Sequence, residues 1–474
     1  MDGQTLTDRR LVAVMKIGGG ILRRREDYER VAALVRQRSG RRNVLVVSAA
    51  NGVTDSLLAV LTQAQTGAVS PDYLQAIRGR HDDLVRGTPF EAEARVVLDS
   101  SFQVLSSTLD SACDLDPLAA RADVASFGEK LSCRLMALFL QAADVPAVSM
   151  LSDEAGIFAD ALYDNSSCDL ERTKSALRER LPTDRAVVLP GFYGVDLQGR
   201  AHLFGRGGSD YSAGCVAACL DADILEMWKD VDGFMTADPR RIASARLIEQ
   251  ISFDEARELG FFGAKIIHPR TFEPMRGHRT RVRIHSLQRP DAPGTRIVEH
   301  GVARGRPVCL SEKRDVALFS ITGGGMVESV GVLGSVFGAL KDAGVSVDLI
   351  STGVSEVSFS MSQHQAPAAL QALEQLKATD GSLFEHVEVE DGLSNVALVG
   401  QDALSAGVLA RAFSVVDQAG LSPLAVSCAR SRISLSFIVA QAHGLACLSA
   451  LHRAFFEPSS VVPASTAKAS AAFS

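Results

Sequence analysis

In the first half of the chain, apolar residues come in short unbroken runs rather than in alternation. LVAVMK (Leu11–Lys16), NVLVVSAA (Asn43–Ala50), RAVVLPGF (Arg185–Phe192) and DILEMWKDV (Asp223–Val231) are four of them. Helix-like stretches separate the runs, the first over about Arg25–Arg38. Unbroken apolar strands that alternate with helices predict an α/β layer, a mainly parallel sheet covered by helices on both faces. The layer is expected over residues 10–290, with a charged helical insertion at about 57–124. SLQRPDAPGTRI (Ser286–Ile297) is rich in Pro, Gly and Asp and reads as a linker.

Beyond it the pattern changes and repeats. DVALFSITGGGMVESVGVLGSVFGALKDAGVSVDLIST starts at Asp315, and NVALVGQDALSAGVLARAFSVVDQAGLSPLAVSC starts at Asn395. Val316 aligns with Val396, Gly331 with Gly407, and Ala343-Gly344 with Ala419-Gly420. Each copy reads as strand, Gly-containing loop, helix, Ala-Gly stop and strand, so two copies of one βαβ-type module are expected, at 305–390 and 391–458. The remaining 459–474 are small and polar and are expected to be disordered.

Composition narrows the class. A chain of 474 residues, 46% hydrophobic, has material for several cores. The net charge of −7, with no basic block interleaved with aromatics, argues against a nucleic-acid partner. No apolar stretch reaches the roughly 20 residues of a membrane span, and the first residues lack a signal-peptide core. No membrane partner is expected, and the cytoplasm is the expected compartment. The eight cysteines are scattered; Cys215 and Cys219 stand four apart with no second pair, so reduced thiols are expected and no protein-only metal site.

Two segments carry candidate chemistry. The run Lys16-Ile17-Gly18-Gly19-Gly20 ends a strand on a lysine and strips the next turn of side chains. It reads either as a tight turn or as a phosphate cradle, since glycines let the backbone approach an anion and lysine adds a mobile charge. The second segment, Gly205-Arg206-Gly207-Gly208-Ser209-Asp210, opens the small apolar helix YSAGCVAACL. Its amides point at a helix start, which favours an anion. Arg206 suits a bidentate carboxylate contact, and Asp210 can hold a lysine such as Lys16. Downstream, KDVDGFMTADPR places Asp230, Asp232 and Asp238 near a strand end, where turn and cap chemistry is the competing reading.

These segments, with SAANGVTDSLL (Ser48–Leu58), FGEKLSCRL (Phe127–Leu135), GFYG and ISFDEARELGFFGAKIIHPRT (Ile251–Thr271), follow in the order found in the aspartate kinases of the amino-acid kinase superfamily, which the chain resembles from about Leu11 to Phe456. The tandem C-terminal modules resemble the paired ACT domains of that family. The resemblance implies ATP-dependent phosphorylation of the β-carboxylate of L-aspartate, with Mg²⁺ on the ATP phosphates. It implies that Lys16 stabilises the transferring phosphoryl group, helped by the amides of Gly18, Gly19, Gly20, Gly207 and Gly208, and that Asp210 orients Lys16. Arg206 would clamp a carboxylate of aspartate, Glu129 would pair with its ammonium, and Ser48, Thr54, Phe192 and Ser209 would shape the pocket. Asp230, Met235, Asp238 and Arg240 would line the nucleotide, and Lys265 would reach its phosphates. In the first module, Met326, Ser329, Val332, Leu333, Val347, Asp348, Ser355 and Glu356 fit an effector loop, for lysine in preference to threonine. Paired ACT modules imply a homodimer or larger assembly.

The chain departs from the family pattern in three places. Gly20-Ile21 replaces Thr-Ser in the first loop, Lys229 replaces a threonine before the strand-end aspartate, and Arg432 replaces an acidic residue in the second module. Lys229 adds a phosphate or ribose contact, or sits in solvent. The departures keep two alternatives in view: a kinase for a different amino-acid carboxylate, and a non-catalytic amino-acid sensor on a kinase fold.

Overall fold

The computed structural model describes residues 10–66, 71–112, 114–160, 162–263, 266–323, 331–381, 383–428 and 431–457. The chain divides into two compact units. The first holds Met1–Phe234, Leu247–Gly260 and Lys265–Gly301, and the second holds Met235–Arg246, Phe261–Ala264 and Val302–Ser474. The tail expected at 459–474 lies outside the described residues.

The first unit begins β1 (Val12–Ile17), α1 (Arg25–Gln37), β2 (Arg42–Val47) and then four helices, α2 (Val53–Gln65), α3 (Pro71–Val85), α4 (Glu91–Asp110) and α5 (Pro117–Ala142). It continues through β3 (Ala147–Ser149), α6 (Ser152–Ala155), α7 (Leu170–Arg180), β4 (Ala186–Pro190), β5 (Tyr193–Val195) and β6 (Ala201–Leu203). The last elements are α8 (Gly208–Cys219), β7 (Ile224–Lys229), β8 (Gln250–Ser252), α9 (Phe253–Phe261), β9 (Arg281–Ser286) and β10 (Thr295–Val298).

The sheet runs β3-β4-β2-β1-β7-β9-β10-β8. Every neighbouring pair is parallel except β9 and β10. The central strands are buried along their length, which is why they read as unbroken apolar runs. Strand order reverses at β1, with β2 on one side and β7 on the other. In an open α/β sheet, that is where a crevice opens beyond the carboxyl ends of the strands. Lys16 and Lys229 both stand at those ends.

The long helix α5 is set by its start: Asp116 accepts hydrogen bonds from the Leu118 and Ala119 amides at 2.9 and 3.1 Å, and Pro117 follows it. The stretch read as a linker, Ser286–Ile297, is instead the connection of a hairpin between β9 and β10, with Gly294 left-handed at φ 64°. Pro, Gly and Asp mark a tight turn as strongly as they mark a linker, so composition alone could not separate the two. Among the described residues no helix is long and apolar enough to cross a membrane.

The second unit is built of β11 (Cys309–Thr322), α10 (Val332–Asp342), β12 (Leu349–Thr352), β13 (Glu356–Ser362) and α11 (Ala366–Thr379), then β14 (His386–Val399), α12 (Ala406–Gln418), β15 (Ala425–Cys428), β16 (Ser434–Ala440) and α13 (Gln441–Phe456). Each repeat is βαββα, one strand and one helix more than the repeat alone spells out. Both share one antiparallel sheet, β12-β13-β11-β14-β16-β15. The Ala-Gly stops are helix caps. Gly344 and Gly420 are left-handed at φ 69° and 68°, and the next amides, of Val345 and Leu421, bond back to Leu340 and Val416 at 2.9 and 3.2 Å.

Candidate active site

Lys16 lies near the end of β1, between β2 and β7, with Val46 and Met227 as its register partners. The loop beyond it folds into one 3₁₀ turn, Gly19–Ile21, and α1 starts only at Arg25. The Gly18 amide bonds to the Trp228 carbonyl at 3.2 Å, tying this loop to β7. A Cβ on Gly19 would stand 2.7 Å from the Ala49 carbonyl oxygen, so the close approach excludes any side chain there. At Gly20 a Cβ would meet only Asp230 Oδ2, at 3.8 Å.

The second glycine loop leads into α8 through Gly207, left-handed at φ 72°, where a Cβ would overlap the His268 ring. Asp210 then falls in the first turn of α8, where a negative charge is favoured. Its Oδ1 is 2.6 Å from Lys16 Nζ and its Oδ2 is 2.6 Å from Lys229 Nζ. One carboxylate therefore bridges two ammonium groups; Lys16 and Asp210 are buried and Lys229 is half-buried. Burial alone would raise the Asp210 pKa, but Lys16 and Lys229 outweigh it and hold the carboxyl at about 2. Burial lowers the pKa of Lys16; Asp210 opposes that shift and the nearby Lys229 adds to it.

Glu129 projects from α5 into the same region, close enough to feel the charge of Lys16. Burial pushes its carboxyl up to about 8, against the Ala49 amide, its own amide, Lys16 and the Ser209 hydroxyl. Its Oε2 is buried and has no hydrogen-bond partner among the described residues. An unpaired acceptor beside a hydroxyl and a lysine suits a ligand ammonium. Ser48 is buried, Thr54 is half-buried at the start of α2, and Arg206 is exposed on the loop before α8. Phe192, left-handed at φ 73°, donates its amide to Ser212 Oγ at 3.0 Å, and Ser212 donates to the Gly208 carbonyl at 2.8 Å. The Gly191 backbone packs so close to Ser209 that a Cβ there would lie 2.8 Å from the serine's.

Arg270 had no assigned role in the sequence, whereas its neighbour His268 reads there as a structural residue of the motif. Arg270, from the HPRT end of the last motif, donates to the Asn165 side chain and the Phe204 carbonyl at 2.9 Å each and to the Ser166 carbonyl at 2.8 Å. It also covers Tyr211, with its guanidinium 4.5 Å from the ring centroid, and so braces the loop that carries Arg206. His268 accepts from the Arg270 amide and packs on Gly207. The motif was the available signal for both.

Asp230 borders the first glycine loop, its Oδ2 3.8 Å from where a Gly20 Cβ would stand. It is exposed, 3.7 Å from Arg23. Met235, Asp238 and Arg240 are grouped with the second unit, where Asp238 and Arg240 pair with each other at 2.8 Å. Lys265, Met326 and Ser329 lie outside the described residues. In the second unit Val332 is buried at the start of α10, and Leu333, Ser355 and the neighbouring Glu356 are exposed. Glu356 accepts from Ser320 and Ser358 at 3.1 and 2.8 Å. Val347 is half-buried, and the Asp348 carboxylate is ion-paired with Lys313.

No group of three or more His, Cys, Asp or Glu side chains among the described residues could hold a metal ion. The Asp210 carboxylate is already shared by two lysines. The donor set suits an anionic ligand that brings its own cation.

The amino acid kinase family model matches residues 12–286, and an ACT domain model matches 319–376 and 396–455. Aspartokinase 1, chloroplastic, of Arabidopsis thaliana is 30% identical over 94% of this chain and 80% of its own length. A bifunctional aspartokinase/homoserine dehydrogenase of Haemophilus influenzae is 32% identical over 95% of this chain, which spans 57% of that relative. Among solved structures, E. coli aspartokinase III in complex with aspartate and ADP superposes with a TM-score of 0.79 at 28% identity, covering 94% of this chain and 100% of that one. The same enzyme in complex with lysine and aspartate matches equally well.

Proposed function

The chain belongs to the amino acid kinase family, among its aspartokinases with ACT domains, and on that premise we propose that it transfers the γ-phosphoryl group of ATP to the β-carboxylate of L-aspartate. The observation that carries this reading is the pair of ammonium groups, Lys16 and Lys229, on one buried carboxylate at the sheet's switch point. A β-carboxylate oxygen attacks the γ-phosphorus, the bond to the ADP oxygen breaks, and an acyl phosphate and ADP result. The attacking group is already an anion at neutral pH, so no general base is required. The work left to the protein is alignment and neutralisation of negative charge.

Lys16 is the group placed to neutralise the transferring phosphoryl oxygens, while Asp210 fixes its position. Of the glycine amides expected to assist, those of Gly18 and Gly208 are taken by the Trp228 and Gly205 carbonyls, so the help is assigned to Gly19, Gly20 and Gly207. Glu129 receives the ammonium of aspartate, and Arg206 receives a carboxylate. ATP would bring Mg²⁺ on its phosphates, which would offset their negative charge, and no residue of this chain is assigned to hold the ion. Met235, Asp238, Arg240 and Lys265 are assigned to the nucleotide through the family motifs alone.

Regulation is assigned to the ACT modules, with lysine favoured over threonine as effector at Val347, Asp348 and Glu356. The chain is assigned to a homodimer. The sheet of the second unit leaves Ile350 on β12 and Val426 on β15, its two outer strands, about 51% and 37% exposed, apolar positions that a second copy would cover. The compartment is read as the cytoplasm.

Coupled detection of ADP, with aspartate, glutamate and N-acetylglutamate compared, tests the proposal. Turnover is expected with aspartate. Turnover with another substrate alone would move the reading to a different carboxylate kinase, and nucleotide binding without any turnover would sink it.

A further inference from the structure

A cavity of about 220 Å³ lies in the first unit, bounded by α5, the residues around α6 and the β5–β6 hairpin. Its lining includes the aromatic rings of Phe127 and Tyr193 and the charged side chains of Lys130, Arg134, Asp123 and Asp153. Lys130 and Arg134 stand one helical turn apart on α5 and so share a face. Arg134 is anchored by donating to Ser101 Oγ at 3.1 Å.

Lys130 is not anchored. Its ammonium makes no ion pair and no hydrogen bond among the described residues, and it faces the Tyr193 ring, 5.1 Å from the centroid. The side chain is half-buried, and burial lowers its pKa while Asp123 and Asp153 hold it up. The ammonium lines the cavity with no ion pair to break among the described residues, so an incoming carboxylate would displace no protein partner. Asp123 has the opposite condition: burial raises its pKa, with Lys130 and the Ala201 amide opposing.

We propose that this cavity is a second amino-acid site, in which the ligand's carboxylate meets Lys130 and Arg134, its ammonium meets Asp123, and its side chain lies on Phe127 and Tyr193. The size supports the class. Pockets for drug-sized ligands run from about 300 to 1,000 Å³, so this one suits an amino acid and is too small for a nucleotide. The charges support it too, because two cations and two carboxylates balance a zwitterion better than they balance an anion. Glu129 is the residue before Lys130, so an occupant would rest on the helix that carries the substrate-ammonium site. The inference does not depend on the kinase reading, since it concerns binding alone.

Calorimetric titration of the full chain with each proteinogenic L-amino acid, and with succinate and inorganic phosphate as anion-only probes, tests it. At least one amino acid is expected to show a component weakened about tenfold or more by Lys130→Met and by Asp123→Asn, yet retained in Asp348→Asn and Arg206→Ala. Cooperative thermal unfolding checks that each variant folds, and Arg134→Met replaces Lys130→Met if that variant does not. The proposal is overturned if no amino acid shows such a component. It is equally overturned if succinate or phosphate binds as tightly as any amino acid and Asp123→Asn leaves binding unchanged.

Discussion

Lys229 places its ammonium 2.6 Å from Asp210, on the oxygen opposite the one that holds Lys16. The two lysines come from the ends of neighbouring parallel strands, and the carboxylate comes from the first turn of α8. Lys229 therefore does more than extend into solvent from a strand end. It fixes Asp210 from the far side and adds a second positive charge where phosphate is expected.

Removing that charge has a signed consequence. Burial lowers the Lys16 pKa and Lys229 lowers it further, so Lys229→Met lets Lys16 keep its proton to higher pH. The alkaline limb of the pH profile of kcat/KM should move upward. The rate at neutral pH should fall about tenfold, or ~1.4 kcal/mol, because one phosphate-facing cation is gone. Lys16→Ala should cost far more, roughly a hundred- to a thousand-fold in kcat. A Lys229→Met profile that overlays the wild type would show that Lys229 neither tunes Lys16 nor meets phosphate.

Glu129 carries a pH dependence of the other kind. Its carboxyl titrates near 8 in the folded protein because burial disfavours the anion. In the unfolded chain it titrates near the ordinary 4.5. A raised carboxyl pKa means stability that is fully present below 4.5 and is lost as pH rises through about 8. Glu129→Gln removes that loss. The ligand-free variant should match the wild type in chemical denaturation at pH 5 and exceed it at pH 9. Between those values the gap should widen by about 1.4 kcal/mol for each step of one in pH, until Glu129 has ionised in the folded protein. Aspartate binding near pH 7 should release a proton from the wild type, seen as a buffer-dependent enthalpy, and the variant should not bind aspartate. Equal stability of the two proteins at both pH values would remove Glu129 as a buried titrating group.

Much of this was readable in the chain, for physical reasons that differ by residue. Lys16 and the three glycines read as a tight turn or a phosphate cradle, and it was the family motifs beside them that favoured the cradle; a close backbone approach excludes a side chain only at Gly19. Asp210 was readable as a partner for Lys16 because each adjoins a glycine-rich loop. The contact of Lys229 with Asp210 was not, because it depends on how β7 registers against β1, and a lysine at a strand end looks the same paired or solvated. The hairpin at Ser286–Ile297 was read as a linker because turn composition does not reveal whether the strands beside it pair. The orphaned Oε2 of Glu129 exists only once α5 has packed, so no motif could show it.

Asp348, a carboxylate of the expected effector loop and so the natural partner for an effector's ammonium, already holds the chain's own Lys313. An amino acid with an ammonium must displace that lysine, so its apparent affinity is reduced by the fraction of molecules in which Asp348 is free. Lys313→Met should lower the concentration of lysine needed for half-inhibition, by about tenfold if the pair is broken in roughly one molecule in ten. Asp348→Asn should abolish inhibition while kinase activity remains. Unchanged inhibition in both variants would place the effector elsewhere.

The two glycines of the first loop should respond in opposite ways. At Gly19 a Cβ would press on the Ala49 backbone carbonyl at 2.7 Å and touch Ser48 Cβ at 3.4 Å, and neither can step aside as a flexible side chain would. Gly19→Ala must displace the loop, and a shift approaching 1 Å at a phosphoryl-transfer site costs on the order of a hundredfold. At Gly20 the added Cβ meets only the Asp230 carboxylate, at an ordinary 3.8 Å. Gly20→Thr, which restores the hydroxyl of the family pattern, should therefore fold as the wild type does and keep kcat/KM for ATP within about threefold. Steady-state kinetics with ATP varied, beside thermal unfolding of both variants, separates the cases. A Gly20→Thr protein as impaired as Gly19→Ala would mean that the third glycine is required by a ligand the loop closes upon, and that its divergence from threonine marks a change of substrate.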